Sequence, residues 1–132
     1  MSEGDLMETA NKLANYLHVM LAIEYDIDIV DRIAKARRLD DFIEAIYNAL
    51  RRRFTLEKRI QEIWPKIKDD KKEDLNRAFT HIKNFNPSDV EIIRNRLTGQ
   101  PFRIKEIASY VGSKSIASTV LFDNLRKIME GG

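Results

Sequence analysis

The chain has 132 residues, of which 43% are hydrophobic and 33% charged, as expected for a folded domain with one core. It contains no cysteine, which excludes disulfides, thiolate catalysis and cysteine-bound zinc. The net charge of +2 is unevenly distributed, since residues 1–50 carry ten acidic and five basic side chains and residues 51–132 carry eleven acidic and eighteen basic ones. The basic half attracts phosphate if its charges cluster, and is an ordinary solvated surface if they do not.

Almost every segment has helical periodicity, and none alternates as a strand does. The first predicted helix covers residues 5–25 and places its leucines and alanines on one stripe. Pro65 ends the fourth helix because proline lacks an amide hydrogen and clashes with the preceding turn. The five helices that follow the first one are predicted to start at Asp28, Asp40, Thr55, Asp70 and Ser88. We therefore predict an all-α, compact single-domain bundle of about seven or eight helices over residues 1–132.

The two C-terminal helices, within residues 102–129, are predicted to pair in a helix-turn-helix-like arrangement. The pattern predicts one helix over 103–111, a turn at Gly112 and a second helix over 115–129. We expect the first helix to bury three residues against three in the second: Ile107, Ala108 and Val111 against Ile116, Val120 and Leu121.

The exposed face of that second helix is poorly suited to DNA. Ser118 stands where a branched core residue is expected, and Asp123 would repel phosphate. The same face presents Thr119, Phe122 and Arg126, and an exposed aromatic such as Phe122 more often marks a protein contact than a base contact. We therefore predict that the pair serves packing or protein contact, with Phe122 as the contact residue.

Signals for catalysis are absent from the sequence. His18 and His81 stand alone without the partner spacing of a helical zinc site, and we expect each at the surface or half buried. The five glycines form no phosphate-binding loop. No segment is apolar for long enough to cross a membrane, and no signal peptide is recognisable. We expect a cytoplasmic protein that is not an enzyme and uses no metal, cofactor or membrane.

Basic residues cluster at the ends of the second and third predicted helices. Cations there are stabilised by the helix dipole, but three consecutive arginines exceed what that effect requires. Guanidinium groups bind phosphate in bidentate geometry, which favours a nucleic-acid backbone as ligand. We expect the arginine heads at 51–53 to remain in water and to form the main contact region. The predicted backbone-binding residues are Arg37, Arg38, Arg51, Arg52, Arg53, Lys58 and Arg59.

Two short motifs, DRIA at 31–34 and YNALR at 47–51, follow a first helix rich in small residues. With the chain length, they make residues 25–53 resemble the small helical subunit of archaeal type I-A CRISPR surveillance (Cascade) complexes. The resemblance implies a non-catalytic subunit in antiviral defence that supports the guide–target heteroduplex or the displaced DNA strand by sequence-independent contacts. It also implies other Cascade subunits, guide RNA and target DNA as partners, and self-association.

Two other interpretations of the sequence remain open. A small helix-turn-helix transcriptional regulator would read DNA through residues 102–129, usually as a dimer on a palindromic site. A structural adaptor would contact no nucleic acid at all. The regulator predicts sequence-specific binding by the isolated protein, whereas the surveillance subunit predicts weak, salt-sensitive binding alone.

Overall fold

Helices make up nearly all of the protein in a computed structural model, which describes residues 3–117 and 120–130, without the side chains of residues 3 and 120–122. Over those residues there are eight α-helices, one 3-10 turn at Trp64–Lys66 and no strand, which confirms the predicted all-α fold. The helices are α1 (Glu3–Glu24), α2 (Ile27–Ala34), α3 (Leu39–Leu50), α4 (Arg53–Ile63), α5 (Asp69–Asn84), α6 (Pro87–Leu97), α7 (Pro101–Ile116) and α8 (Val120–Met129).

Helix α1 lies at the centre of the fold and packs against α4, α5, α6, α7 and α8. The predicted apolar stripe is buried, but the burial goes further, because every residue from 16 to 23 is buried. This second half of α1 is therefore enclosed on all sides. The buried Tyr16 hydroxyl is satisfied by donating a hydrogen bond of 2.6 Å to the carbonyl of Ala49, which ties α1 to the last turn of α3. Even so, none of the described helices has the length and hydropathy needed to cross a membrane.

The turn predicted at Gly112 is wrong, because α7 continues through this residue to Ile116. Gly112 is buried where α7 crosses the end of α2. A Cβ atom added at Gly112 would clash with the Cβ of Ala34 and lie 3.2 Å from its Cα. The glycine is thus required by the close approach of two helices rather than by a turn.

The end of α7 is defined by a side chain from α1. His18 Nδ1 donates a hydrogen bond of 3.1 Å to the carbonyl of Ser115, which can only accept, so the proton resides on Nδ1. Carbonyls in the last turn of a helix have no intrahelical donor, and the imidazole supplies one here. The Ser115 hydroxyl is also buried and donates to the carbonyl of Gly112 at 2.9 Å. Contact with the centre of the fold therefore decides where this helix stops.

The predicted C-terminal pair of helices is present as α7 and α8, but with different packing. Ile107, Ala108 and Val111 are buried as predicted. Ile116 was expected in the same interface and is instead 55% exposed, because α7 ends there and its buried face has turned away. Helix α7 packs on α1 and α2, while α8 packs on α1 and α5. The predicted roles of the side chains at 118–122, including Phe122, lie outside the described residues.

Several helices begin before their predicted starts. The N-cap of α2 is Asp26, whose side chain accepts the hydrogen bond of a first-turn amide at 3.4 Å, whereas Asp28 lies within the helix. Asn86, not Ser88, precedes α6. Pro65 does end α4, and the chain continues there as the 3-10 turn. Three further predicted starts lie inside the first turns of their helices: Asp40 in α3, Thr55 in α4 and Asp70 in α5.

Candidate nucleic-acid interface

An open groove lies between helices α2 and α3 on the protein surface. It consists of two adjoining concavities of about 510 and 340 Å³ that share Arg32, Ala45 and Asn48 in their walls. We call this the α2–α3 groove. Its lining residues are Ile29, Asp31, Arg32, Lys35, Ala36, Arg37, Arg38, Asp41, Glu44, Ala45, Asn48, Arg51 and Arg52.

The lining contains six cationic and three anionic side chains, so the groove is basic although most of its residues lie in the acidic half of the chain. Lys35 is neutralised by Asp31 at 2.9 Å. Four exposed arginines have no carboxylate within 4.0 Å among the described residues. These four, which we call the groove arginines, are Arg32, Arg37, Arg38 and Arg51.

The helix geometry explains why these side chains meet. On α3, residues 41, 44, 45 and 48 recur at helical spacing and form one wall, which Arg51 and Arg52 extend just beyond the end of the helix. Arg32 and Lys35 sit on α2 and at its C-cap, and the short connection to α3 adds Arg37 and Arg38. Within this arrangement Arg51 donates a hydrogen bond to the side-chain oxygen of Asn48, one turn back on α3.

Arg52 lines the groove but is also part of the internal structure. Its guanidinium lies 3.3 Å from a carboxylate oxygen of Glu24 and 3.3 Å from one of Asp26. The Arg52 side chain is 39% exposed, and that of Glu24 only 14%. The hydrogen bond to Glu24 raises the pKa of Arg52 further above its ordinary value, so its charge is permanent. Arg52 thus holds the start of α4 against the end of α1.

Arg53 turns inward and does not fit the prediction that all three heads remain in water. It forms an ion pair with Glu57 at 3.2 Å and donates hydrogen bonds to the side-chain oxygen of Asn86 at 2.7 Å and the carbonyl of Phe85 at 3.4 Å. These contacts connect α4 to the segment between α5 and α6. Of the three consecutive arginines, only Arg51 has no carboxylate partner within the described residues.

The remaining predicted site residues lie elsewhere. Lys58 and Arg59 are exposed on α4, and Arg59 borders a different concavity formed by α4, α5 and α8. The structure thus brings together Arg37, Arg38, Arg51 and Arg52, and separates Arg53, Lys58 and Arg59 from them. The sequence analysis missed Arg32, Lys35 and Asn48 as members of the groove. The spacing of three residues between Arg32 and Lys35, outside the apolar positions of α2, is a signal that would have found two of them.

The two histidines are neither at the surface nor isolated. His18 is 7% exposed, which contradicts the predicted surface or half-buried position, and His81 is half buried. Burial lowers the pKa of both below 6.5, and the charge of His18 contributes to lowering the pKa of His81. No group of three or more potential metal ligands occurs over residues 3–117 and 120–130.

Guanidinium groups without carboxylate partners suit the binding of phosphate, with two parallel N–H···O bonds available from each group. In the α2–α3 groove four of them are exposed, so each can contact a phosphate without contact to base edges. Comparisons of this chain with protein-family models, with curated proteins and with solved structures gave no match.

Proposed function

We propose that the protein is a non-catalytic subunit that binds nucleic-acid backbones in the α2–α3 groove. The observation that carries this proposal is the set of four exposed groove arginines in one groove, none of which has a carboxylate within 4.0 Å among the described residues. Surface arginines normally gain from pairing with acids on their own helix, as Arg77 and Arg94 do here. Cations left unpaired in a concave surface raise the local concentration of a polyanion.

The specific assignment is to the small-subunit position of a type I-A CRISPR surveillance complex. Its support is that the segment 25–53 that resembles this family also contains α2, α3 and all four groove arginines. A subunit in such a complex needs only sequence-independent backbone contacts, because guide pairing supplies the specificity.

The rival function, DNA reading by a helix-turn-helix at residues 102–129, has less support. Gly112 lies inside α7, so the tight turn expected between the two helices does not occur at that position. Arg126 is engaged by the ring of Tyr25, 4.4 Å away, and by Glu130 at 2.9 Å. These contacts compete with contact to a DNA base.

The proposal is tested by replacing three groove arginines, Arg37, Arg38 and Arg51, with alanine. We expect weaker binding to both single-stranded and duplex oligonucleotides of any sequence. If each arginine contacts one phosphate, the slope of log K against log salt should fall by about 0.7 per contact on single strands and about 0.9 on duplexes. Fluorescence anisotropy over a series of salt concentrations measures both quantities.

A matched control removes the same charge elsewhere, at the exposed residues Lys83, Lys105 and Lys127. We expect this control to keep most of the salt slope. Equal slopes for the wild-type protein and the groove variant would refute backbone binding in this groove. Co-purification of the native protein, with identification of bound proteins and RNA, tests the assignment to a surveillance complex separately.

A further inference from the structure

A second concavity, of about 620 Å³, lies between the end of α4, the start of α5 and the end of α8. We call it the α4–α8 pocket. Its floor is aliphatic, and the residues that form it either belong to the hydrophobic core or pack against it. They are Ile63, Ile67, Ile128 and Met129.

The rim of this pocket carries four cations: Arg59, Lys66, Lys68 and Lys71. None of them forms an ion pair within 4.0 Å among the described residues. The lining also holds two acids, Glu62 and Asp70, so positive charge remains in excess at the rim. An occupant of complementary chemistry has an apolar face for the floor and carboxylates for the rim.

From these features we infer that the α4–α8 pocket is a docking site for an acidic amphipathic segment of a partner protein. Helical segments of this kind place apolar side chains in a groove and direct their acids to its edges. Met129 on the floor is unbranched and adapts readily to inserted aliphatic side chains, and the three isoleucines supply apolar surface. The rim charges favour the encounter and select acidic over basic partners.

Nucleic acid is the other polyanion that a basic rim attracts, but the floor argues against it. Grooves that hold single strands stack the bases on aromatic side chains, and no lining residue of this pocket is aromatic. A phosphate backbone needs cations and no apolar floor. The α2–α3 groove, with its four arginines, has that character, so the two concavities differ in the chemistry they offer.

Trp64 provides a built-in reporter for the test. It is the single tryptophan of the chain and follows Ile63, which lines the pocket, while Trp64 itself lines a neighbouring concavity with Ile60 and Phe79. The probe is a synthetic amphipathic helical peptide with leucines on one face and glutamates on the other. We expect it to change the fluorescence of Trp64 on titration and to bind more weakly as salt is raised. The same peptide with glutamines in place of the glutamates should bind weakly or not at all.

Two charge-matched variants separate this site from the α2–α3 groove. Replacement of Lys66, Lys68 and Lys71 with alanine should weaken peptide binding at least about fivefold, from the loss of three charge contacts at the rim, and should leave oligonucleotide binding largely intact. Replacement of Arg37, Arg38 and Arg51 should have the opposite pattern. Ile67→Ala removes part of the floor and should weaken binding of the peptide without affecting binding of oligonucleotides. Circular dichroism establishes that each variant is folded.

Each outcome of this experiment decides the inference. Peptide binding that is lost in the lysine variant and kept in the arginine variant supports it, whether or not oligonucleotides bind the protein. Failure of the peptide to bind, or equal binding by both variants, overturns it. If the lysine variant loses oligonucleotide affinity as strongly as the arginine variant, the pocket is part of a nucleic-acid surface and the inference is also wrong.

Discussion

Gly112 illustrates how the role of one residue depends on its tertiary neighbour. Glycine in the middle of a helix costs about 1 kcal/mol relative to alanine, because its backbone loses more conformational freedom on folding. In α7 the glycine allows the backbone to approach Ala34 at the end of α2. The lost helix propensity is therefore offset by the packing of two helices that a side chain would hold apart.

We expect Gly112→Ala to destabilise the protein by about 1–2 kcal/mol, because overpacking outweighs the gain in helix propensity. Urea denaturation measures the change. Ser113→Ala, on the exposed side of the same helix, is the control and should stay within about 0.5 kcal/mol. Combining Gly112→Ala with Ala34→Gly should relieve the clash and give a favourable coupling energy. A Gly112→Ala protein more stable than wild type would contradict the close approach.

At the scale of elements, the junction between α3 and α4 is held by two arginines that point in different directions. Arg52 reaches the end of α1 through Glu24 and Asp26, and Arg53 reaches the segment before α6 through Asn86. Adjacent residues at a helix start face different sides of the chain, so one charged run contacts two separate elements. This junction therefore organises the fold in addition to bordering the groove.

Single substitutions should separate these roles. We expect Arg52→Ala and Arg53→Ala each to lower the free energy of unfolding by about 1–2 kcal/mol, because their half-buried acidic partners lose a counter-charge. Solvent screens part of each ion pair and keeps the loss within this range. Arg51→Ala should change it by less than about 0.5 kcal/mol while weakening nucleic-acid binding. Chemical denaturation gives the first quantity and anisotropy the second. Equal stability of all three variants would show that the ion pairs contribute nothing measurable.

At the scale of the whole molecule, α1 is the element on which most of the others pack, and it carries a titratable group into the core. Burial lowers the pKa of His18, against the opposing effects of the Ser115 hydrogen bond and the charge of Asp123. Burial also lowers the pKa of His81 on α5, with further lowering by His18 and by Arg77. Protonation of either buried imidazole therefore destabilises the folded state, because burial disfavours its charge.

Stability should fall as the solution is acidified. Both histidines have folded-state pKa values below the unfolded value of 6.5, so the unfolded state binds more protons as the pH drops through that value. We expect the free energy of unfolding to decrease between about pH 7.5 and about pH 5.5, above the range in which most carboxylates titrate. Urea denaturation across this range gives the slope. The double variant His18→Gln, His81→Gln should have a flatter slope, and an unchanged slope would contradict the assignment.

Much of the fold follows from local patterns in the sequence. The apolar stripe of α1, the stop at Pro65 and the burial of Ile107 and Val111 are predictable because helical periodicity and proline chemistry act over a few residues. Helix starts are less predictable, as Asp26 and Asp28 show, because neighbouring acids are equally good caps in isolation. The groove was only partly predictable: the spacing of Arg32 and Lys35 marks a basic face of α2, but the meeting of that face with Asn48 depends on the position of α2 against α3.

By itself the sequence determined that the protein is all-α, which residues face inward on most helices, and that cations cluster near the ends of α2 and α3. These properties depend on residue type and spacing along one helix. Only the tertiary structure decided that Gly112 is a packing position, that the second half of α1 is enclosed on every side and that Arg53 turns inward while Arg51 stays exposed. Such properties depend on which residues, distant in the chain, occupy the space beside a side chain, and no local pattern specifies those neighbours.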